Sequence, residues 1–435
     1  MVHPHNARAG DDASTQEHED SPSGRQARYI PHRPLSAAPP HSPRDMATTL
    51  ADHAAAQPAS RVRDIPWHLT AVVIGAASIL IGILWDISWH RTIGRDTFWT
   101  PAHMAVYFGG TLAGLSCGAR VLLESFGRTD STMIQGVRLW KYFSGPIGGW
   151  ICIWGAFAML TSAPFDDWWH NAYGLDVEIL SPPHVVLLIG IAGILIGAQA
   201  MAAAAQNREG SSPLYANIFL VSSGVLVTMA SVAITEYTFP MRSHQSIFYI
   251  VTGAVYPTIL VSAATASRLS WPATRIAFVY MAIMALQVWI LPLIPGSPLL
   301  GPIGHEVTRM VPLPFPVLLV VPGIAIDLVL RSMKNRNPWL TSLLLGFCFV
   351  GSLVLVQWPF GSLQATELGR SAFFGGSHDD YSTPAEFLVG PRQLWTDGKT
   401  VVSTLIGIAT SAVLAATLSS RLGLARGAWL RRVVR

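Results

Sequence analysis

Two segments of this 435-residue chain carry acids and histidines at matching spacing. The first holds Asp86, His90 and Asp96, then Thr100-Pro101-Ala102-His103; the second holds Asp166, His170 and Asp176, then Ser181-Pro182-Pro183-His184. In both, the first histidine follows the acid by four residues, and the last histidine follows a hydroxyl residue by three. An acid and a histidine four apart on a helix share a face, with Cβ atoms about 5–6 Å apart. A Thr-Pro or Ser-Pro pair then starts a new helix, with the hydroxyl at the N-cap and the proline at the first helical position. That puts His103 and His184 in the first turn of their helices. Each segment therefore predicts a helical hairpin with one carboxylate and two imidazoles at its lip. Imidazole suits copper, zinc, iron and nickel, and three protein ligands leave a coordination position open. The candidate metal ligands are Asp86, His90, His103, Asp166, His170 and His184.

Neighbouring groups fit supporting roles. Asp96 and Asp176 are placed to orient imidazoles rather than to bind the ion. Arg95 reads as a partner of Asp96; Leu175 stands in its place in the second copy. Trp85, Trp89, Trp168 and Trp169 leave a second reading of the acids open, as polar ends within an interfacial tryptophan belt. Glu236 with His244, His305-Glu306 and His378-Asp379-Asp380 are weaker candidates, the first as a degenerate third copy. Asp327 and Arg331, four apart on a helix, predict an ion pair.

The pattern Asp86-x3-His90-x12-His103, closing with Arg95-Asp96-Thr97-Phe98-Trp99-Thr100-Pro101-Ala102-His103, resembles the C subunit of particulate methane monooxygenase and ammonia monooxygenase. That family's second set, Asn-x3-His-x13-His, is matched by Asp166-x3-His170-x13-His184. The resemblance covers roughly residues 66–205. It implies copper ligands in the membrane arm of an oxygenase: one or two copper ions ahead of zinc or iron, dioxygen and a small apolar substrate as reactants, and other oxygenase subunits as partners. Asp166 departs from the family by replacing an asparagine and makes the second site more anionic; Asp167 adds a further acid. Two other readings accompany this one: a metal-binding or copper-handling membrane protein without oxygen chemistry, and a structural subunit of an oxygenase complex.

The elements that must position these residues follow from composition. Charged residues are 12% of the chain and hydrophobic ones 51%, the balance of a polytopic membrane protein rather than a soluble domain. Ten apolar runs approach the length that spans a bilayer, at about 68–89, 101–123, 144–165, 182–205, 213–235, 245–266, 274–294, 312–332, 339–359 and 400–420. They lack the alternation of barrel strands, so the fold class is an all-α membrane bundle of about ten helices. Gly110, Gly114 and Gly118, and likewise Gly193 and Gly197, are placed for close helix packing. Residues 1–65 are poor in large aliphatics and read as a disordered tail; 66–205 carry the duplicated sites, and 206–435 add further spans and long loops.

Lys and Arg fix the expected orientation. With the N-terminus in the cytoplasm, short cytoplasmic segments hold 15 basic residues and the opposite loops hold 7. Both termini are then cytoplasmic, and the six candidate ligands, with His244, His305 and His378, fall on the outer face, periplasmic in a bacterium. The net charge of +4 reflects this topology and gives no sign of nucleic acid as a partner. Cys117, Cys152 and Cys348 sit singly in apolar runs and read as packing residues.

Overall fold

A computed structural model describes residues 66–94, 99–127, 136–139, 141–174, 181–210, 212–299, 307–369, 371–375 and 400–434. The tail, Arg95, Asp96, Asp176, His305 and His378 lie outside them. Residues 64–435 form one compact unit.

The helices are α1 (Trp67–Thr92), α2 (Pro101–Ser125), α3 (Ile147–Tyr173), α4 (Pro182–Arg208), α5 (Pro213–Ala233), α6 (Ser246–Ala266), α7 (Pro272–Ile290), α8 (Val320–Ser332), α9 (Pro338–Gln364) and α10 (Val401–Leu430), the last containing a π turn at Ile408–Ala412. Among the described residues, nine helices are long and apolar enough to cross a membrane. The strands are Val137–Leu139 and Phe143–Gly145, an antiparallel pair between α2 and α3. The all-α membrane bundle read from the sequence is the fold.

The exception among the ten expected spans is 312–332. Helix α8 has 13 residues, about 20 Å, too short for a hydrocarbon core of about 30 Å. The chain before it is non-helical and buried, with Met310, Val311, Leu313, Val317 and Leu319 in the core. Pro312, Pro314 and Pro316 lie in this stretch and cannot donate helical hydrogen bonds. Unpaired backbone at this depth is costly, so side chains of neighbouring helices supply the partners. Val311 N–H donates to Thr92 Oγ1 at 2.8 Å, Leu313 N–H to Gln287 Oε1 at 3.0 Å, Val317 N–H to the Tyr280 hydroxyl at 3.0 Å and Leu318 N–H to Gln357 Oε1 at 3.0 Å. Leu313 lies level with Gln287, Val317 with Tyr280, and Asp327 with Ala273 and Thr274. The segment thus runs the length of α7 in the opposite direction, half strap and half helix.

Asp327 does not form the predicted ion pair. Its carboxylate accepts from Ala273 N–H, Thr274 N–H and the Thr274 hydroxyl, capping the start of α7, while the Arg331 guanidinium stacks 3.8 Å over Trp271. A helix N-terminus offers unsatisfied N–H donors to an anion, and these outcompete a flexible side chain on the next turn.

Helix pairing sets the positions of the candidate ligands. Helices α1 and α2 touch backbone to backbone: a Cβ on Gly75 would lie 2.6 Å from Gly109 O. Helices α3 and α4 meet the same way, with a Cβ on Gly155 falling 2.7 Å from Gly190 O. Gly114 packs on Ala156 and Gly193 on Gly155, as their spacing predicts, whereas Gly118 faces open space.

Candidate metal centres

Each hairpin brings its acid and two histidines together. Asp86 and His90 occupy the last two turns of α1, and His103 the first turn of α2. Thr100 caps α2 as predicted, its Oγ1 accepting from His103 N–H at 3.1 Å. Asp86 Oδ1 lies 3.1 Å from His103 Nε2 and 3.6 Å from His90 Nε2. In the second hairpin, Asp166 and His170 end α3 and His184 begins α4. Asp166 Oδ1 lies 3.4 Å from His170 Nε2 and 3.6 Å from His184 Nε2.

Those spacings match ligands sharing an ion. Two atoms each about 2 Å from a tetrahedral metal are about 3.3 Å apart. A direct carboxylate–imidazole hydrogen bond does not account for them. Asp86 Oδ1 and Asp166 Oδ1 are buried and accept no hydrogen bond, although imidazole nitrogens stand within 3.1–3.6 Å. The nitrogens are near the oxygen without aiming an N–H at it, as expected when lone pairs converge on a common point. Among the described residues, Asp86, His90 and His103 form the one group whose ligand atoms all lie within 4.8 Å of one another. The donor sets, two imidazoles and one carboxylate each, fit a first-row transition ion.

The two copies differ in their supports. His170 Nδ1 lies 3.1 Å from Gly174 O and donates to it, which turns Nε2 toward Asp166. Gly174 takes φ +88°, a conformation glycine enters without the Cβ penalty. Gly94, in the same place after His90, has φ +97°, yet His90 Nδ1 is buried without a partner, as is His184 Nδ1. Ser181 does not repeat the Thr100 cap: its Oγ is buried and unbonded. The equivalent donor, His184 N–H at the third helical position, makes no bond to Ser181, and the expected equivalence of Thr100 and Ser181 fails there.

Two features escaped the sequence reading. The paired glycines four residues after each first histidine are one. Tyr107 is the other. It lies four residues after His103 on α2, close enough to Asp166, Ser162 and Asp86 for each to act on it. Ser162 lies four residues before Asp166 on α3, so Tyr107 stands between the two centres. The i, i+4 spacing of Tyr107 to His103 and of Ser162 to Asp166 was available as a signal.

The strap fixes the end of α1 that carries His90. Arg91 donates to Pro312 O, and Thr92 accepts from Val311. Trp99, Trp168 and Tyr173 are exposed at the helix ends, where an interfacial aromatic belt sits.

Among the described residues, the weaker candidate pair Glu236 and His244 does not form a metal-ligand group. His244 Nε2 contacts Trp358 O at 3.0 Å and Ser362 Oγ at 3.1 Å, a structural role. His305, Glu306, His378, Asp379 and Asp380 lie outside the described residues, as do Arg95, Asp96 and Asp176. Comparison with protein-family models, curated proteins and solved structures yields no match.

Proposed function

We propose that this chain is a membrane copper protein that holds one ion at Asp86, His90 and His103 and a second at Asp166, His170 and His184. In this reading it takes part in oxidising a small apolar molecule with dioxygen, as a subunit or relative of the particulate methane and ammonia monooxygenases. The observation that carries the metal assignment is the unbonded Asp86 Oδ1 between two imidazole nitrogens. The choice of copper and of oxygenase chemistry rests on the motif resemblance over residues 66–205.

A bound copper ion supplies one-electron chemistry and an open position for dioxygen. The protein's own groups do the rest. Asp86 and Asp166 offset the ion's charge with one carboxylate each. The α1–α2 contact holds the first pair of imidazoles at ligand spacing, so little ordering is left to be done on binding there. Gly174 O fixes the tautomer of His170. Tyr107 lies close to both carboxylates, Asp166 and Asp86. The bias of Lys and Arg supports both termini on the cytoplasmic side and the centres on the outer face.

Metal analysis of the full-length protein purified in lipid, with His90→Ala/His170→Ala as control, tests the reading. Copper in the parent and its loss in the double variant are expected. A parent that binds no copper from a copper-containing medium overturns it. Reductant-dependent dioxygen uptake with a short alkane or ammonia then separates an oxygenase from a copper-handling protein, and co-purification of further subunits tests the complex.

A further inference from the structure

Helices α2, α3 and α4 also bring sulfur together. Cys117 lies 14 residues after His103 on α2, and Cys152 lies 14 residues before Asp166 on α3. That interval is close to four turns, about 21 Å, so each cysteine shares a helix face with a candidate ligand but sits well away from it. Cys117 Sγ stands 3.9 Å from Met201 Sδ of α4. Cys152 is close enough to Cys117 for the two thiols to act on one another. Its own thiol donates to Ile194 O of α4 at 3.6 Å. All three sulfur side chains are buried.

Facing glycines make the room. A Cβ on Gly197 would fall 2.5 Å from Cys152 Sγ, one on Gly148 would fall 2.7 Å from Met201 Cγ, and one on Gly149 would fall 3.9 Å from Cys117 Cβ. Gly148 and Cys152 are one turn apart on α3, as Gly197 and Met201 are on α4. These contacts place the three side chains at one crossing of three helices.

Two sulfurs each about 2.3 Å from an ion in a trigonal set are about 4 Å apart, which is the spacing of Cys117 and Met201. A thiolate and a thioether make a soft donor set that suits copper(I). Copper(I) bound to one thiolate is neutral, as a buried position within membrane-spanning helices requires. Zinc(II) in the same place would keep a net charge and lack a fourth ligand. We propose that Cys117 and Met201, with Cys152 as a third sulfur, form a copper(I) site separate from the two hairpin centres. On binding, the Cys117 thiol gives up its proton and becomes the thiolate. Cys152 keeps its proton on Ile194 O and offers a sulfur lone pair. The site stands whether or not the hairpin centres hold copper.

The test loads full-length His90→Ala/His170→Ala in lipid nanodiscs with copper(I) under anaerobic reduction, against bicinchoninate, and reads X-ray absorption. Copper that this variant takes up under reduction is the sulfur-bound ion, whereas the loss expected of it in air concerns the hairpin centres. A single copper(I) per chain is expected, with sulfur scatterers at about 2.3 Å. Cys117→Ser in this background should abolish the sulfur shell. Met201→Leu, which keeps the apolar volume, should weaken binding about tenfold or more. Cys348→Ser, on α9, should leave it unchanged. No uptake, or a shell of nitrogen and oxygen alone, overturns the proposal. So does equal loss in Cys348→Ser and Cys117→Ser, which means adventitious thiol binding. Undiminished affinity in Met201→Leu overturns the thioether assignment, and zinc(II) bound as tightly as copper(I) overturns the choice of a soft monovalent ion. The protein with both histidines intact should show the same sulfur shell beside nitrogen and oxygen scatterers, so misfolding of the double variant does not decide the outcome. A sulfur shell there without nitrogen or oxygen counts against the hairpin centres alone.

Discussion

Asp86 Oδ1 stands 3.1 Å from His103 Nε2 across the α1–α2 hairpin and accepts no hydrogen bond from it. A buried carboxylate oxygen without a partner costs free energy, and an ion at the common point of Asp86, His90 and His103 removes that cost. The second hairpin repeats the relationship at Asp166 with ligands that do not share the 4.8 Å convergence of the first.

His103→Ala is expected to remove copper from the first centre and leave the second largely occupied, roughly halving the bound metal. The ligands come from separate hairpins, so the centres should fail separately. Metal content, with electron paramagnetic resonance to distinguish the sites, checks this. Equal loss from both would mean one shared cluster.

Gly174→Ala should weaken the second centre and spare the first. At φ +88° a Cβ strains the backbone by about 1 kcal/mol or more, and relief moves the carbonyl that receives His170 Nδ1. Copper titration of the two sites reads the effect. A variant whose second-site affinity equals the parent's would show that the Gly174 carbonyl does not orient His170.

Gln287→Leu tests the strap. Gln287 accepts from Leu313 N–H and donates to Leu313 O, so the leucine leaves two buried backbone groups unpaired, at about 1–3 kcal/mol each. Thermal unfolding should move down, and first-centre copper affinity should fall with it, because the strap also grips Arg91 and Thr92. Unchanged stability would mean that water reaches this backbone.

His244, in the turn before α6, gives a pH dependence. Burial lowers its pKa, an effect partly opposed by its hydrogen bond to Trp358 O. The folded state therefore takes up this proton at lower pH than the unfolded state does. Stability from this group is complete above the unfolded value of about 6.5 and falls as pH drops through that value toward the folded one. The unfolding midpoint should decline less between neutral and mildly acid pH in His244→Gln than in the parent.

The sequence made the hairpins legible because their signals are local: an i, i+4 acid–histidine pair, a Thr-Pro start, and apolar runs of spanning length. It misjudged what depends on competition between partners. The first half of the run at 312–332 is apolar, but three alternate prolines and waiting acceptors on Thr92, Gln287 and Gln357 make non-helical backbone the better solution there. Asp327 had a basic residue at helical spacing and chose the start of α7 instead. Ser181 matched Thr100 in sequence and failed as a cap. Tyr107 had the i, i+4 spacing to His103 as a local signal, but its closeness to Asp166 came only from packing α2 on α3.

The asymmetry of the two centres yields the last prediction. The first triad already has its ligand atoms within 4.8 Å of one another, and its helix start is capped by Thr100. The second has an uncapped start at Ser181 and ligand atoms that do not all lie within that distance. Preorganised ligands lose less freedom on binding, so substoichiometric copper should fill the first centre before the second. Asp166 adds a hard anionic oxygen to the second set, which raises the relative affinity for zinc or iron over copper. Asp166→Asn should then shift competition at that centre toward copper while lowering its affinity for zinc. If filling is simultaneous and the substitution leaves the copper-to-zinc preference unchanged, Asp166 does not bind the ion, and its place beside Trp168 and Trp169 is that of an interfacial helix-end carboxylate.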